Sequence, residues 1–212
     1  MGYRGFSLQM TMNAPSTTVR RPTAVPRPTV GRLRLRPTRR GRGFVVGVVD
    51  AAGPDTNGFA PRDRVAWRDT TDELDELVLL DQDDVLGVPS WISDEQVVSY
   101  LGAGLIARTL VRTAQDDRTG ELRPFGRGDD VRVASSDPLV AAMTGAWARS
   151  LGARVVEDRC GIVIHDAART RREGFGSHGR LAQATVEVFQ AIRAGVFDEV
   201  EPLPQSVGRI AA

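Results

Sequence analysis

The apolar run Val45-Val46-Gly47-Val48-Val49 constrains the fold of this chain more than any other stretch. Four valines around a single glycine suit a buried strand at a point where another backbone comes close. Ala52 to Phe59 comes next and is dense in turn formers, with Asn57-Gly58 the strongest short hairpin signal in the sequence. Asp63-Arg64-Val65-Ala66-Trp67 then resumes strand composition. Strand, turn, strand is the expectation for 45–67. Taken alone, these residues describe a β-hairpin and no function.

Other local patterns extend it. Val30 to Arg36 alternates leucine and arginine, as a half-exposed strand does. Ser93-Asp94-Glu95-Gln96 has the spacing of a capping box, and Val97, Val98, Leu101, Leu105 and Leu110 recur near helical period behind it. Arg68 to Leu77 is acidic and reads as a loop, and Ala114 to Arg127 is charged and irregular and reads as a linker. Val131 to Ala134 is a short strand and Pro138 to Leu151 a helix; Gly152 ends that helix before Ala153 to Val156 starts another strand. Arg180 to Arg193 is amphipathic and stops at Gly195. The β-α-β order over 131–156 is the beginning of a doubly wound sheet.

Bulk properties exclude several classes. At 212 residues the chain suits one large domain or two small ones. The net charge of +1 is unevenly placed, since the first 42 residues hold ten arginines and no acid. Lysine is absent, which removes Schiff-base chemistry and the lysine of a phosphate-binding loop. A single cysteine, Cys160, cannot make an intramolecular disulfide or a cysteine-built zinc cluster. No apolar run reaches the ~18 residues of a membrane span, and no signal-peptide core is seen, so a cytoplasmic protein is expected. Residues 1–25 have too little apolar surface to offset ordering and are expected to be a disordered basic arm. No nucleic-acid fold or aromatic platform comes after that arm, so nucleic acid is not the expected partner.

The hairpin and the segments downstream of it resemble the medium-chain dehydrogenase/reductase superfamily, in its zinc-free, quinone-oxidoreductase-like branch. Gly47 to Trp67 is similar to that family's G-V-V-x-x-x-G-x-x-V-x-x-F-x-x-G-D-R-V segment, and Asp75 to Leu80 to its A-E-Y-V-x-V strand. Val88 to Gln96 resembles its V-P-D-x-I-S-D-E lead into a helix, and Gly104 to Leu110 its G-L-T-A-x-x-x-L turn. Gly128 to Val156 resembles the first strand-helix-strand of its nucleotide domain. The resemblance implies an α/β protein with a shortened GroES-like β-lobe over 26–113, a linker over 114–127, and a reduced Rossmann-like parallel-sheet lobe over 128–212. It also implies NADPH as cofactor, hydride transfer to an activated double bond of a quinone or enoyl compound, and a small-molecule ligand between the lobes. Where zinc-dependent branches carry G-H-E, this chain has Arg42-Gly43-Phe44, so no metal site is expected.

The residues themselves argue against the cofactor. The family's cofactor-binding positions fall on Ser135, Ser136, Asp137 and Leu139, and on Ile106 where its L-T-A-Y threonine lies; Arg108 takes the place of the tyrosine. The glycines of A-x-x-G-G-V-G fall on Pro138, Leu139 and Ala141. Proline removes one N–H, leucine brings a side chain to where phosphate would approach, and Asp137 is placed to cap the helix itself. After Val156 the family continues for several dozen residues, whereas Glu157-Asp158-Arg159 here leads directly into Cys160 to His165. The alternative function is therefore a cofactor-free descendant acting as a cyclase or isomerase, or as a binding partner of a full-length relative in a homo- or hetero-oligomer.

Candidate chemistry is sparse. His165 ends a buried strand, where open α/β sheets place ligands, and is the one candidate proton donor; a histidine bonded to backbone or water is the plainer role. His178 is expected in a loop, and Cys160 as a small buried hydrophobe. Trp67 is expected in the core or as the wall of a substrate cleft.

Overall fold

A computed structural model describes residues 27–41, 43–56, 58–70, 75–158, 160–165 and 178–202. The basic arm expected at 1–25 lies outside the described residues, as does Asn57.

Five strands form the first sheet: β1 (Arg32–Arg40), β2 (Phe44–Ala52), β3 (Arg64–Arg68), β4 (Val78–Asp81) and β5 (Val85–Gly87), in the order β4-β1-β2-β3-β5. All neighbours are antiparallel. The valine run lies in the central strand and buries both faces by alternation. Val45 and Val49 join Leu33, Leu35, Val65 and Trp67 in one cluster, while Phe44 and Val46 join Ala66 and Leu86 in another that faces the helices. Gly47 is required by close approach, because a Cβ there would lie 2.4 Å from the Arg36 carbonyl oxygen and 2.8 Å from the Trp67 ring. The charged ends of the strands are matched across the sheet: Arg34 and Arg36 on Asp50, and Arg40 on Asp69.

Helix α1 (Asp94–Arg112) carries the expected capping box: the Gln96 N–H donates to Ser93 Oγ and the Ser93 N–H to Gln96 Oε1. It is buried around much of its circumference. Val97, Val98, Leu101 and Leu105 belong to the core shared with the first sheet, and Leu110 to the core beneath the second. Arg64 pairs with Asp94 and fastens the start of α1 to β3.

The second sheet contains β6 (Gln115–Asp116), β7 (Asp130–Ala134), β8 (Arg154–Val155) and β9 (Ile162–His165), in the order β6-β9-β7-β8. β7 runs parallel to both β8 and β9, and β6 antiparallel to β9. Helix α2 (Pro138–Ser150) joins β7 to β8 and ends in a Schellman turn, with Ala153 N–H on Ala148 O, Gly152 N–H on Arg149 O, and Gly152 at φ +91°. Helix α3 (His178–Arg193) packs Ala184, Val188, Phe189 and Ile192 against the shared core. The architecture is α/β, with a shortened antiparallel lobe and a reduced parallel-sheet lobe.

Two local expectations are corrected. Gln115–Asp116, within the stretch read as irregular, is a strand, because its backbone pairs with β9. His178 begins α3 and is not in a loop. Among the described residues, no helix is long and apolar enough to cross a membrane.

Candidate functional site

The candidate site is the turn between β7 and α2, at the carboxyl edge of the parallel strands, where open α/β sheets hold ligands. Ser135, Ser136 and Asp137 form the turn. The first four backbone positions of a helix ordinarily leave N–H groups for a phosphate. Here each is accounted for. Pro138 has no N–H. Leu139 and Val140 donate to Asp137 Oδ1 at 3.0 and 3.2 Å, and Ala141 donates to the Asp137 carbonyl at 2.9 Å. The Asp137 N–H itself donates to Ser135 Oγ at 3.2 Å. A pyrophosphate would have to displace these bonds and face the Asp137 carboxylate, a repulsion of ~1 to 4 kcal/mol at 4 Å. The residues of the turn do not fit a dinucleotide phosphate.

Leu139 acts differently from the expectation. Its side chain is 2 % exposed and lies in the shared core beside Met143, so it does not obstruct the turn from outside. The carboxylate of Asp137, not the leucine, occupies the N–H groups at the start of α2.

Ile106 is half-buried against the core beneath the second sheet. Arg108, the next residue but one along α1, donates to both oxygens of Glu187 on α3 at 2.6 and 2.9 Å, and Arg112 adds a third bond at 2.8 Å. The Arg108 hydrogen bond, opposed by burial, holds the Glu187 carboxyl below its ordinary range. The charge at the position of the family's tyrosine is thus matched by a carboxylate of this chain. Neither partner was legible as a pair in the sequence, since 79 residues separate them.

His165 is exposed as the last residue of β9, with Ala134 of β7 as its register partner. The structure therefore brings His165 and the Ser135–Asp137 turn to one edge of one sheet. Trp67 is elsewhere: 3 % exposed, it packs in the far cluster of the first sheet, and of its two expected places the core is the one it takes. Cys160 is half-buried, and its thiol donates to the Ile162 carbonyl at 2.7 Å. Among the described residues, no group of three histidine, cysteine, aspartate or glutamate side chains is arranged to hold a metal.

No protein-family model and no curated protein matches this chain. Solved structures do. 2-Haloacrylate reductase superposes with a TM-score of 0.50 at 21 % identity, over 82 % of this chain and 56 % of that one. The fold is that of the medium-chain reductases. Quinone oxidoreductase from Escherichia coli, solved with NADPH, gives 0.49 at 15 % identity over 78 % and 50 %. A mycobacterial quinone oxidoreductase gives 0.47 at 20 % over 76 % and 50 %. This chain thus spans about half the length of the medium-chain reductases that it matches.

Proposed function

We propose that this chain is a cofactor-free form of the medium-chain reductase scaffold, acting by binding or by a non-redox step such as isomerisation, and not by hydride transfer. The observation that carries this is the Asp137 cap. Its carboxylate and carbonyl accept the N–H groups of Leu139, Val140 and Ala141, and Pro138 offers none. On this reading the protein is zinc-free and cytoplasmic, and its partner is a small molecule or a full-length relative in an oligomer. Arg42-Gly43-Phe44 in place of a G-H-E segment supports the absence of zinc.

Titration with NADPH, monitored by nucleotide fluorescence and by calorimetry, tests it. No saturable binding is expected alongside a cooperative melt. Saturable binding at micromolar NADPH would overturn the reading. Exchanging Asp137→Ala and Pro138→Gly together is expected to free the amides without creating tight binding, because the connection from β8 to β9 remains short. Leu139 is best left in place in that variant, since it is a core residue.

A second reading is NADPH-dependent reduction of a quinone or enoyl compound. The retained β7-α2-β8 unit favours it. It requires NADPH oxidation that depends on an added quinone or enoyl substrate, and no such turnover is expected.

A further inference from the structure

Val131, Ile162 and Ile164 face α1 and α2, so strand alternation turns Arg132 to the opposite face of the second sheet. The sheet also contains an unusually short connection. β8 and β9 flank β7, yet only the six residues 156–161 join them. Parallel strands ordinarily need a dozen or more residues between them, usually as a helix that covers the sheet. Beside this short connection lies a cavity of about 960 Å³, within the size of small-molecule sites.

The chemistry of its wall narrows the occupant. Two ion pairs are internal to it, Arg123 with Asp116 at 3.1 Å and Arg132 with Asp117 at 3.0 Å. Hydrogen bonds from the Arg118 and Thr119 N–H groups, and then from Arg123, keep Asp116 charged. Among the described residues, three lining side chains have no ion pair or hydrogen bond: the Arg118 guanidinium and the carboxylates of Glu157 and Asp158. A fourth group is also unmatched. Arg132 Nε–H is buried and meets no acceptor, which is costly for a donor shut off from water. Arg118, Glu157 and Asp158 are exposed, so the cavity presents one open cation and two open carboxylates, which a ligand carrying both charges would complement.

We propose that this cavity binds a small zwitterion of the α-amino acid class, its carboxylate accepting from Arg118 and from the part-exposed guanidinium end of Arg132, and its ammonium donating to Glu157 and Asp158. No residue of the β7–α2 turn lines the cavity, so the proposal does not depend on whether that turn admits a dinucleotide.

Cys160 lines the same cavity and is the sole cysteine of the chain, so its alkylation reports on occupancy. The full chain is treated with iodoacetamide, and labelling is measured by mass spectrometry in the presence of single α-amino acids. Propionate and ethylamine serve as controls that carry one charge each. At least one amino acid is expected to slow labelling saturably by about fivefold or more, and neither control to do so. Arg132→Met and Glu157→Gln should each abolish that protection. Arg118→Gln, at an exposed turn position, should weaken it and serves if Arg132→Met fails to fold. Equal protection by the one-charge controls, no protection by any amino acid, or protection that survives Glu157→Gln and Arg118→Gln would overturn the proposal.

Discussion

In the first sheet, three of five strands are paired on both sides and both faces are buried, one on the Trp67 cluster and one on the helices. In the second, β6 and β8 have two residues each, and the face that carries Arg132 borders a cavity. The difference arises from how strands are connected. Antiparallel neighbours need only a turn, so a β-lobe can lose loop length and keep every ladder. Parallel neighbours need a crossover that also roofs the sheet, and here six residues keep the pairing with no helix among the described residues between β8 and β9.

The largest effect should come from the core that both lobes share. Leu101→Ala, at a fully buried position of α1, is expected to cost about 2–5 kcal/mol. The melt should remain a single transition by circular dichroism and by tryptophan fluorescence. Two separated transitions would show that the lobes are independent. Next is Gly47→Ala, whose new methyl meets the Arg36 carbonyl and Trp67. A loss of about 1–3 kcal/mol in denaturant unfolding is expected, whereas no loss would mean that the first sheet yields as readily as the second.

Asp137→Ala removes a helix cap and should cost about 0.5–2 kcal/mol, read as a lowered melting temperature. A rise instead would mark Asp137 as a strained residue kept for another purpose.

The smallest effect is electrostatic. Arg34 holds Asp50 below its ordinary value of 3.8, and Arg108 holds Glu187 below 4.5. A carboxyl whose folded pKa is depressed stabilises fully above its unfolded value and loses that contribution as pH falls through the folded one. Stability should therefore fall below about pH 4.5, and Glu187→Gln should flatten that acid limb. An unchanged pH profile in the variant would assign the acid loss to other groups. These pairs should show no matching alkaline loss, since every described ion pair uses arginine, which stays charged.

Much of the fold was legible because its signals are local. The valine run, the Ser93–Gln96 box, the glycine after α2 and the capping aspartate each act within a few residues, and each stands where the pattern put it. The site was legible in part. Asp137 could be read from its place before Pro138, but the inward turn of Leu139 depends on which face of α2 meets the core, and the helix period alone left that open. The strand at Gln115–Asp116 was invisible, since two polar residues become a strand only when β9 lies beside them. Arg132 gave only the weak signal of a charge inside an apolar strand. Its cavity is made by three separate segments, and the link between Arg108 and Glu187 spans 79 residues.

Helix α1 supplies side chains to the interior of both lobes, and Gly104 lets it approach Val188 and Met143 within the reach of a single added methyl. A chain organised on such an axle can tolerate deletions at its periphery, because neither half has to fold unaided. The same dependence makes α1 a poor place to divide the protein: fragments cut within 94–112 would each lack the surface on which the other condenses, whereas a break in the loop over 53–63 would leave the axle whole.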